Sequence, residues 1–353
     1  MDVVDSRGCG VRSPPVNDPV NDRISLPPRD DGTTLDVVGI GNALVDVLSH
    51  EDESFIGSNS LVKGAMTLIE TDRATELYAA MGPGIEVSGG SAANTVAGVA
   101  SFGGRAGYLG KVFDDQLGVV FAHDMRANGV VFRSPPAADG PPTGRCLIVV
   151  TPDAERTMNT FLGASSLFGP DDVDEELVAS GRITYLEGYL FDRDEAKAAY
   201  RRASDIAHDA GRQVALTLSD TFCVERHLDE WRDLVRDAVD ILFANEAELE
   251  ALYGVQLHEA VERARGDVGI ACVTLGPKGS LIVTPDEIVE VPAEPVDEVV
   301  DTTGAGDLYA SGVLHGLSQG LPLAECGRLG SIAASAVIGH TGARPGRSLA
   351  QLA

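Results

Sequence analysis

Asp301-Thr302-Thr303-Gly304-Ala305-Gly306-Asp307 marks the point where the chain passes from an extended stretch into a helix. Glu298-Val299-Val300 before it reads as extended. Ala310, Val313, Leu314 and Leu317 after it stand at i, i+3, i+4 and i+7, one apolar helical stripe. The two glycines let the backbone approach a ligand, and the N–H groups of a first helical turn favour an anion. Asp307 then has two readings. It caps the helix of an ordinary βα loop, or it stands beside a bound anion as a general base.

Other segments repeat this strand-to-helix design. Gly39-Ile40-Gly41-Asn42-Ala43-Leu44 follows the apolar run that opens at Leu35. The third position of a dinucleotide-binding G-x-G-x-x-G would be Leu44, where close helix packing needs Gly, so oxidoreductase chemistry is disfavoured. Asn42 and Asp46 suit sugar hydroxyls, because a carboxylate accepts from two vicinal O–H groups; an Asx-type turn would use the same residues. Glu86–Asn94 carries Gly89-Gly90 into a helix with Ala93, Val96, Ala97 and Ala100 on one face, and Asn94 projects from its first turns. Asp115 reads as a helix cap. Asn245-Glu246-Ala247-Glu248 opens a helix after Ile241–Phe243, at the strand end where open α/β sheets bind ligands. Glu248 suits Mg²⁺ held through water, although on this motif alone a charged helix face is the simpler explanation. Thr274-Leu275-Gly276-Pro277-Lys278-Gly279 can wrap a nucleotide, yet it is no Walker A loop: no G-K-[ST] occurs in the chain.

The 353 residues are 44% hydrophobic, with 54 acidic against 27 basic side chains and a net charge of −27. So acidic a chain repels nucleic acid and anionic membrane, which excludes both as partners. No apolar run reaches the length of a bilayer span, and the N-terminus lacks a signal-peptide pattern, so a cytoplasmic location is expected. Cys9, Cys146, Cys223, Cys272 and Cys326 are scattered singly, which argues against a zinc site or a disulfide framework.

Residues 1–33, rich in Pro, Asp, Asn and Gly, read as a disordered extension or an over-called start. From residue 34 to 353 apolar runs (Leu35–Ile40, Ala106–Leu109, Ile183–Leu186, Val214–Leu218, Ile241–Phe243, Ile270–Leu275) alternate with helical segments such as Arg193–Asp209 and Glu230–Ala238. That alternation predicts an α/β fold with a mostly parallel sheet covered on both faces. Cys146–Val150 and Arg156–Leu162 read instead as a β-hairpin. With Val130–Arg133 and the stretch around Asp46–Met66 it predicts a small β element, a lid or a dimerisation surface, read as a β-sheet lid from about residues 47–68 and 130–163 on a single domain.

Together these motifs resemble the ribokinase-like (pfkB) family of carbohydrate and nucleoside kinases, over about residues 35–350. The resemblance rests on Gly89 through Gly118, Asn245-x-x-Glu248 and Asp301–Asp307 in that order. It implies a three-layer α/β/α sandwich with a β-sheet lid, and ATP and Mg²⁺ as cofactors. It makes Asp307 the general base, and Gly304, Ala305 and Gly306 a backbone anion hole for the transferred phosphoryl group. Asn245 and Glu248 would organise Mg²⁺ and its waters. Thr274, Gly276, Gly279 and Thr303 would lie along the ATP, and Asn42, Asp46, Gly90 and Asn94 would hold sugar hydroxyls.

Within the family, Gly41–Asp46 and Gly89–Asn94 are similar to segments of bacterial adenosine kinases. That makes Tyr189 the aromatic that stacks on a purine and Arg156 a basic lid residue on the substrate. A core Tyr and a solvated strand Arg are the alternatives. Ala43 departs from the Pro those enzymes carry, which leaves the base pocket open. Thr341-Gly342-Ala343-Arg344-Pro345 resembles a turn that helps form a monovalent-cation site, which adds K⁺ to the cofactors the resemblance allows. The expected activity is phosphorylation of a nucleoside 5′-hydroxyl, adenosine first, by a monomer or homodimer. Ribose or a related sugar, inosine or guanosine, and a non-catalytic sensor are the other readings.

Overall fold

The computed structural model describes residues 33–153 and 155–353, so the extension expected over residues 1–33 lies, except for Thr33, outside the described residues. The apolar runs form strands. In chain order these are β1 (Leu35–Ile40), β2 (Leu44–His50), β3 (Met66–Leu68), β4 (Ile85–Gly89), β5 (Ala106–Leu109), β6 (Val130–Phe132) and β7 (Gly144–Val150). There follow β8 (Arg156–Phe161), β9 (Gly181–Glu187), β10 (Gln213–Thr217), β11 (Ile241–Asn245), β12 (Ile270–Thr274), β13 (Ser280–Val283) and β14 (Ile288–Val291).

Nine of them make one sheet in the order β14-β13-β12-β11-β10-β9-β1-β5-β6. It is parallel from β6 to β12, and the last two strands join antiparallel. Every residue of β1 and β9 is buried, as expected of parallel strands covered on both faces. Helices Ser91–Ser101 and Ala305–Ser318 pack one face, and Asp194–Asp209 and Leu228–Ala238 the other. In Asp194–Asp209 the buried positions Ala196, Ala199, Tyr200, Ala203 and Ala207 recur at helical spacing, and the small alanines let the helix lie close to the strands. The result is the three-layer sandwich that the alternation predicts.

The remaining strands form a second sheet, β3-β8-β7-β2-β4, in which β7 and β8 are the expected hairpin. The chain leaves the large sheet at Ile40 and enters the small one at Leu44, so Asn42 sits at the junction and Asp46 just beyond it. It returns through β4, and Gly90, at φ +99°, turns it into helix Ser91–Ser101. An L side chain there would be strained and would run into the Asn42 carbonyl.

Three expectations need correction. Val130–Arg133 does not join the small sheet: β6 lies at the edge of the large one, paired parallel to β5 through Ala106 and Val130. A strand delivered by helix Gln116–Ala127 after β5 completes a βαβ unit, whose strands pair in parallel. Conversely, Ile85–Gly89, read only as the approach to a helix, is β4 of the small sheet. Glu298–Val300 belongs to neither sheet; Val300 and Asp301 donate to the Ile338 carbonyl, and Val299 stays exposed.

Candidate active site

The C-terminal ends of the parallel strands and the inner face of the small sheet enclose a cleft of about 1010 Å³. Helix Ala305–Ser318 points its N-terminus into it. Gly304 caps that helix in the left-handed region, φ +78°, with no side-chain cap. A Cβ on Gly304 would stand 2.8 Å from Ala343, whereas one on Gly306 would meet nothing within 4 Å, so the backbone at Gly306 faces open cleft. The Ala305 N–H donates to the Thr302 carbonyl at 3.2 Å, and first-turn N–H groups that open on such a space can receive an anion.

Asp307 is not the cap. Its Oδ1 accepts from Ser91 Oγ at 2.6 Å and its Oδ2 from Asn94 Nδ2 at 3.0 Å. Burial pushes its carboxyl above the usual range, while these bonds and the Arg344 guanidinium pull it back. Asp46 is also pushed up, to about 6, by burial, against the pull of Arg344 and Arg156. Gly89 lies opposite Leu44 in the β2–β4 ladder, and a Cβ there would strike the Asp46 carboxylate at 2.5 Å. The absence of a side chain on the returning strand makes room for that carboxylate.

Asn42 is 2% exposed and already engaged: its Nδ2 donates to Glu187 Oε1 at 2.8 Å and its Oδ1 accepts from Ser165 Oγ at 2.9 Å. Glu187 also accepts from the Asn42 and Ala92 backbone N–H groups, tying the β1–β2 junction to helix Ser91–Ser101. Burial pushes Glu187 up to about 7 despite these bonds. Gly90 and Asn94 line the same wall as Asp46.

Across the cleft, Asn245 and Glu248 form a reciprocal capping box. Asn245 N donates to Glu248 Oε2 at 2.9 Å, and Glu248 N to Asn245 Oδ1 at 2.9 Å. Burial and the nearby Asp220 push Glu248 up to about 7, and among the described residues no cation offsets them. A buried carboxylate that lines a cleft without a positive partner carries uncompensated negative charge that a hydrated divalent cation would offset. Thr274, Thr303 and Tyr189, the last 38% exposed, also line the cleft.

Three expected site residues lie outside the cavity lining. Gly276 and Gly279 shape the turn after β12; a Cβ on Gly279 would run into the Val291 carbonyl, so this glycine serves hairpin packing. Arg156 turns from the cleft to pair with Asp301, whose carboxylate also accepts from Thr303 N and Gly342 N, each at 2.9 Å. The ion pair thus joins the small sheet to the anion loop.

Ser91, Glu187 and Phe222 are site residues that reading the sequence missed. Ser91 stands three before Asn94, on the same helix face. Glu187 is a carboxylate ending a parallel strand, which is a recognisable signal. Phe222, 57% exposed and lining the cleft, follows Ser219 at φ +66°, a loop conformation that no motif announces.

A family model for the pfkB family of carbohydrate kinases matches residues 67–349. The solved adenosine kinase from Sinorhizobium meliloti is 52% identical, with a TM-score of 0.83 over 90% of this chain and 98% of that one. A probable sugar kinase from Rhizobium etli CFN 42 is 48% identical, with a TM-score of 0.84 over 90% and 97%. An uncharacterized sugar kinase from Archaeoglobus fulgidus is 28% identical over 256 residues, 70% of this chain and 97% of its own. The fold described above, ribokinase-like, is shared with the two solved structures.

Proposed function

The chain belongs to the pfkB family of carbohydrate kinases, enzymes that phosphorylate a hydroxyl group with ATP, and on that premise we propose that its acceptor is the 5′-hydroxyl of a nucleoside, adenosine first. The observation that carries the nucleoside reading is the exposed aromatic and apolar part of the cleft lining. Tyr189 and Phe222, 38% and 57% exposed, line the cleft, as do Met66 and Leu68 of β3, 48% and 51% exposed. An apolar and aromatic wall left open inside a cleft suits a flat base, and stacking a base on such a ring contributes roughly 1–3 kcal/mol. A free sugar gains little from it. The likeness to an adenosine kinase at 52% identity supports the same choice.

In the proposed reaction, Asp307 takes the proton of the acceptor hydroxyl as its oxygen bonds to the γ-phosphorus. The bond from that phosphorus to the β–γ bridging oxygen breaks, and ADP leaves. The backbone of Gly304, Ala305 and Gly306 faces the oxygens of the moving phosphoryl group. Asp46 accepts from sugar hydroxyls, with Gly90 and Asn94 beside it; Asn42 holds the junction through Glu187 and Ser165. Thr274 and Thr303 lie along the nucleotide. Asn245 and Glu248 would hold Mg²⁺ through its waters, and the ion would neutralise phosphate charge. The small sheet acts as a lid that keeps out water competing for the phosphoryl group. K⁺ stays outside the proposal, because Asp301 already has Arg156 as its cation and the Gly342 N–H as a donor.

Sugar phosphorylation is the second reading, favoured by the sugar-kinase names of the other two relatives. A panel of nucleosides and sugars assayed by ADP release separates them. Adenosine is expected to lead in kcat/KM; ribose or fructose ahead of it sinks the nucleoside reading.

A further inference from the structure

The turn after helix Leu323–Ile338 sends a guanidinium behind the acceptor wall. Arg344 does not line the cavity. Its Nε donates to Asn94 Oδ1 at 3.2 Å, and its Nη2 contacts Met125 Sδ at 3.5 Å. Asn94 in turn aims Nδ2 at Asp307 Oδ2. An amide has a donor end and an acceptor end, and a half-turn of its last torsion exchanges them. Between a carboxylate that accepts and a guanidinium that only donates, one orientation satisfies both neighbours. Without Arg344 the amide loses the group that holds its oxygen away from Asp307.

Charge points the same way. The groups around Asp307 are Asp46 from β2, Tyr185 and Glu187 from β9, and Tyr189 from the following turn, with Ser91 and Asn94 donating from their helix. Arg344 is the cation acting on Asp307 among the described residues, and it acts on Asp46 as well. Its other charged or titratable neighbours are Asp124 and Tyr108. Arg156 also acts on Asp46, but it is paired with Asp301.

Taking Asp307 as the base, a reading on which this step rests, we infer that Arg344 is a positioning residue for phosphoryl transfer. It locks the Asn94 amide toward Asp307, and its charge supports the two acceptor-site carboxylates.

ADP release with adenosine across about pH 5–9, in wild type, Arg344→Met, Arg344→Lys, Asn94→Ala and the Arg344→Met/Asn94→Ala pair, tests it, with thermal unfolding as the folding check. Arg344→Met should lower kcat roughly 10- to 100-fold with KM within about threefold. It should also move the acid limb of kcat/KM up by about one pH unit, because loss of the cation makes the carboxylates easier to protonate. Arg344→Lys should keep the limb and recover part of kcat. In the Asn94→Ala background, Arg344→Met should cost only a few fold more in kcat. An Arg344→Met enzyme within about twofold of wild type in kcat, with an unmoved limb, overturns the inference, as does full additivity with Asn94→Ala. Should Arg344→Met not fold, Arg344→Gln keeps a donor without the charge, and a wild-type limb there is equally decisive against it. Asp307→Asn separates the two levels. If that enzyme turns over near the wild-type rate, the general-base reading itself fails; if it is dead while Arg344→Met is unaffected, only the role of Arg344 falls.

Discussion

The charged and the apolar parts of the cleft wall are built differently. The carboxylates Asp301, Asp307 and Glu248 are tied: Asp301 by Arg156, Thr303 and Gly342, Asp307 by Ser91 and Asn94, and Glu248 by Asn245. Tyr189, Phe222, Met66 and Leu68, which line the cleft, stand exposed, and the Tyr189 hydroxyl donates to the Ser219 carbonyl at 3.2 Å. Charge that develops in a transition state is stabilised by donors already in place, since reorganising them during the reaction would add to the barrier. An apolar wall needs no such bonds and can wait for a ligand to cover it. On the proposed function, chemistry is preformed here and specificity is left to contact.

That contrast can be broken on either side. The largest effect is expected from Asp307→Asn, which should lower kcat roughly 10²- to 10⁴-fold with little change in KM, measured as steady-state ADP release. A loss of only a few fold would remove Asp307 from the reaction. Gly304→Ala should follow, at roughly 10²-fold in kcat, because a Cβ would meet Ala343 at 2.8 Å and push the first-turn N–H groups off target. Tyr189→Ala should act through the apolar lining, raising KM for adenosine roughly 10- to 100-fold and leaving any turnover of ribose unchanged. Equal losses on both acceptors would make Tyr189 a structural residue.

Glu248→Gln should raise the Mg²⁺ needed for half-maximal rate by roughly tenfold, while calorimetric unfolding changes little because the amide still fills the capping box. The smallest effect concerns pH. Asp46, pushed up to about 6, must be ionised to accept from a hydroxyl, so kcat/KM should begin to fall below about pH 6. Over the same range Glu187 and Glu248, pushed up to about 7, bind more protons folded than unfolded. They therefore favour the fold increasingly as pH falls from about 7 toward their ordinary unfolded values near 4. Tm and activity should move in opposite directions between about pH 7 and 5, and a parallel fall in both would count against these carboxylates.

Much of the frame was legible in the residues. Leu35–Ile40 and Ala106–Leu109 are strands with the boundaries their apolar runs suggest, and Cys146–Phe161 pairs as the polar turn between its arms requires. Such runs are local signals, carried by side-chain period and turn chemistry. The misreadings concern partners. Val130–Phe132 alternates like any short edge strand, and nothing in three residues says which sheet receives it. Arg156 is basic and near the site in the chain order of the motifs, yet its partner Asp301 lies 145 residues away.

Taken alone, the order of residues specified the alternating layers, the glycine turn at Gly304 and the acid at Asp307, since each depends on the period, size or charge of near neighbours in the chain. It could not say that Ser91, Asn94 and Arg344 converge on that acid, that Glu187 absorbs Asn42, or that Phe222 faces the same cleft as Met66. Those facts depend on distances between segments far apart in sequence, which packing of the two sheets and their helices sets all at once. They are also what turns an acidic side chain at a helix start into a buried, oriented carboxylate, as the proposed base requires.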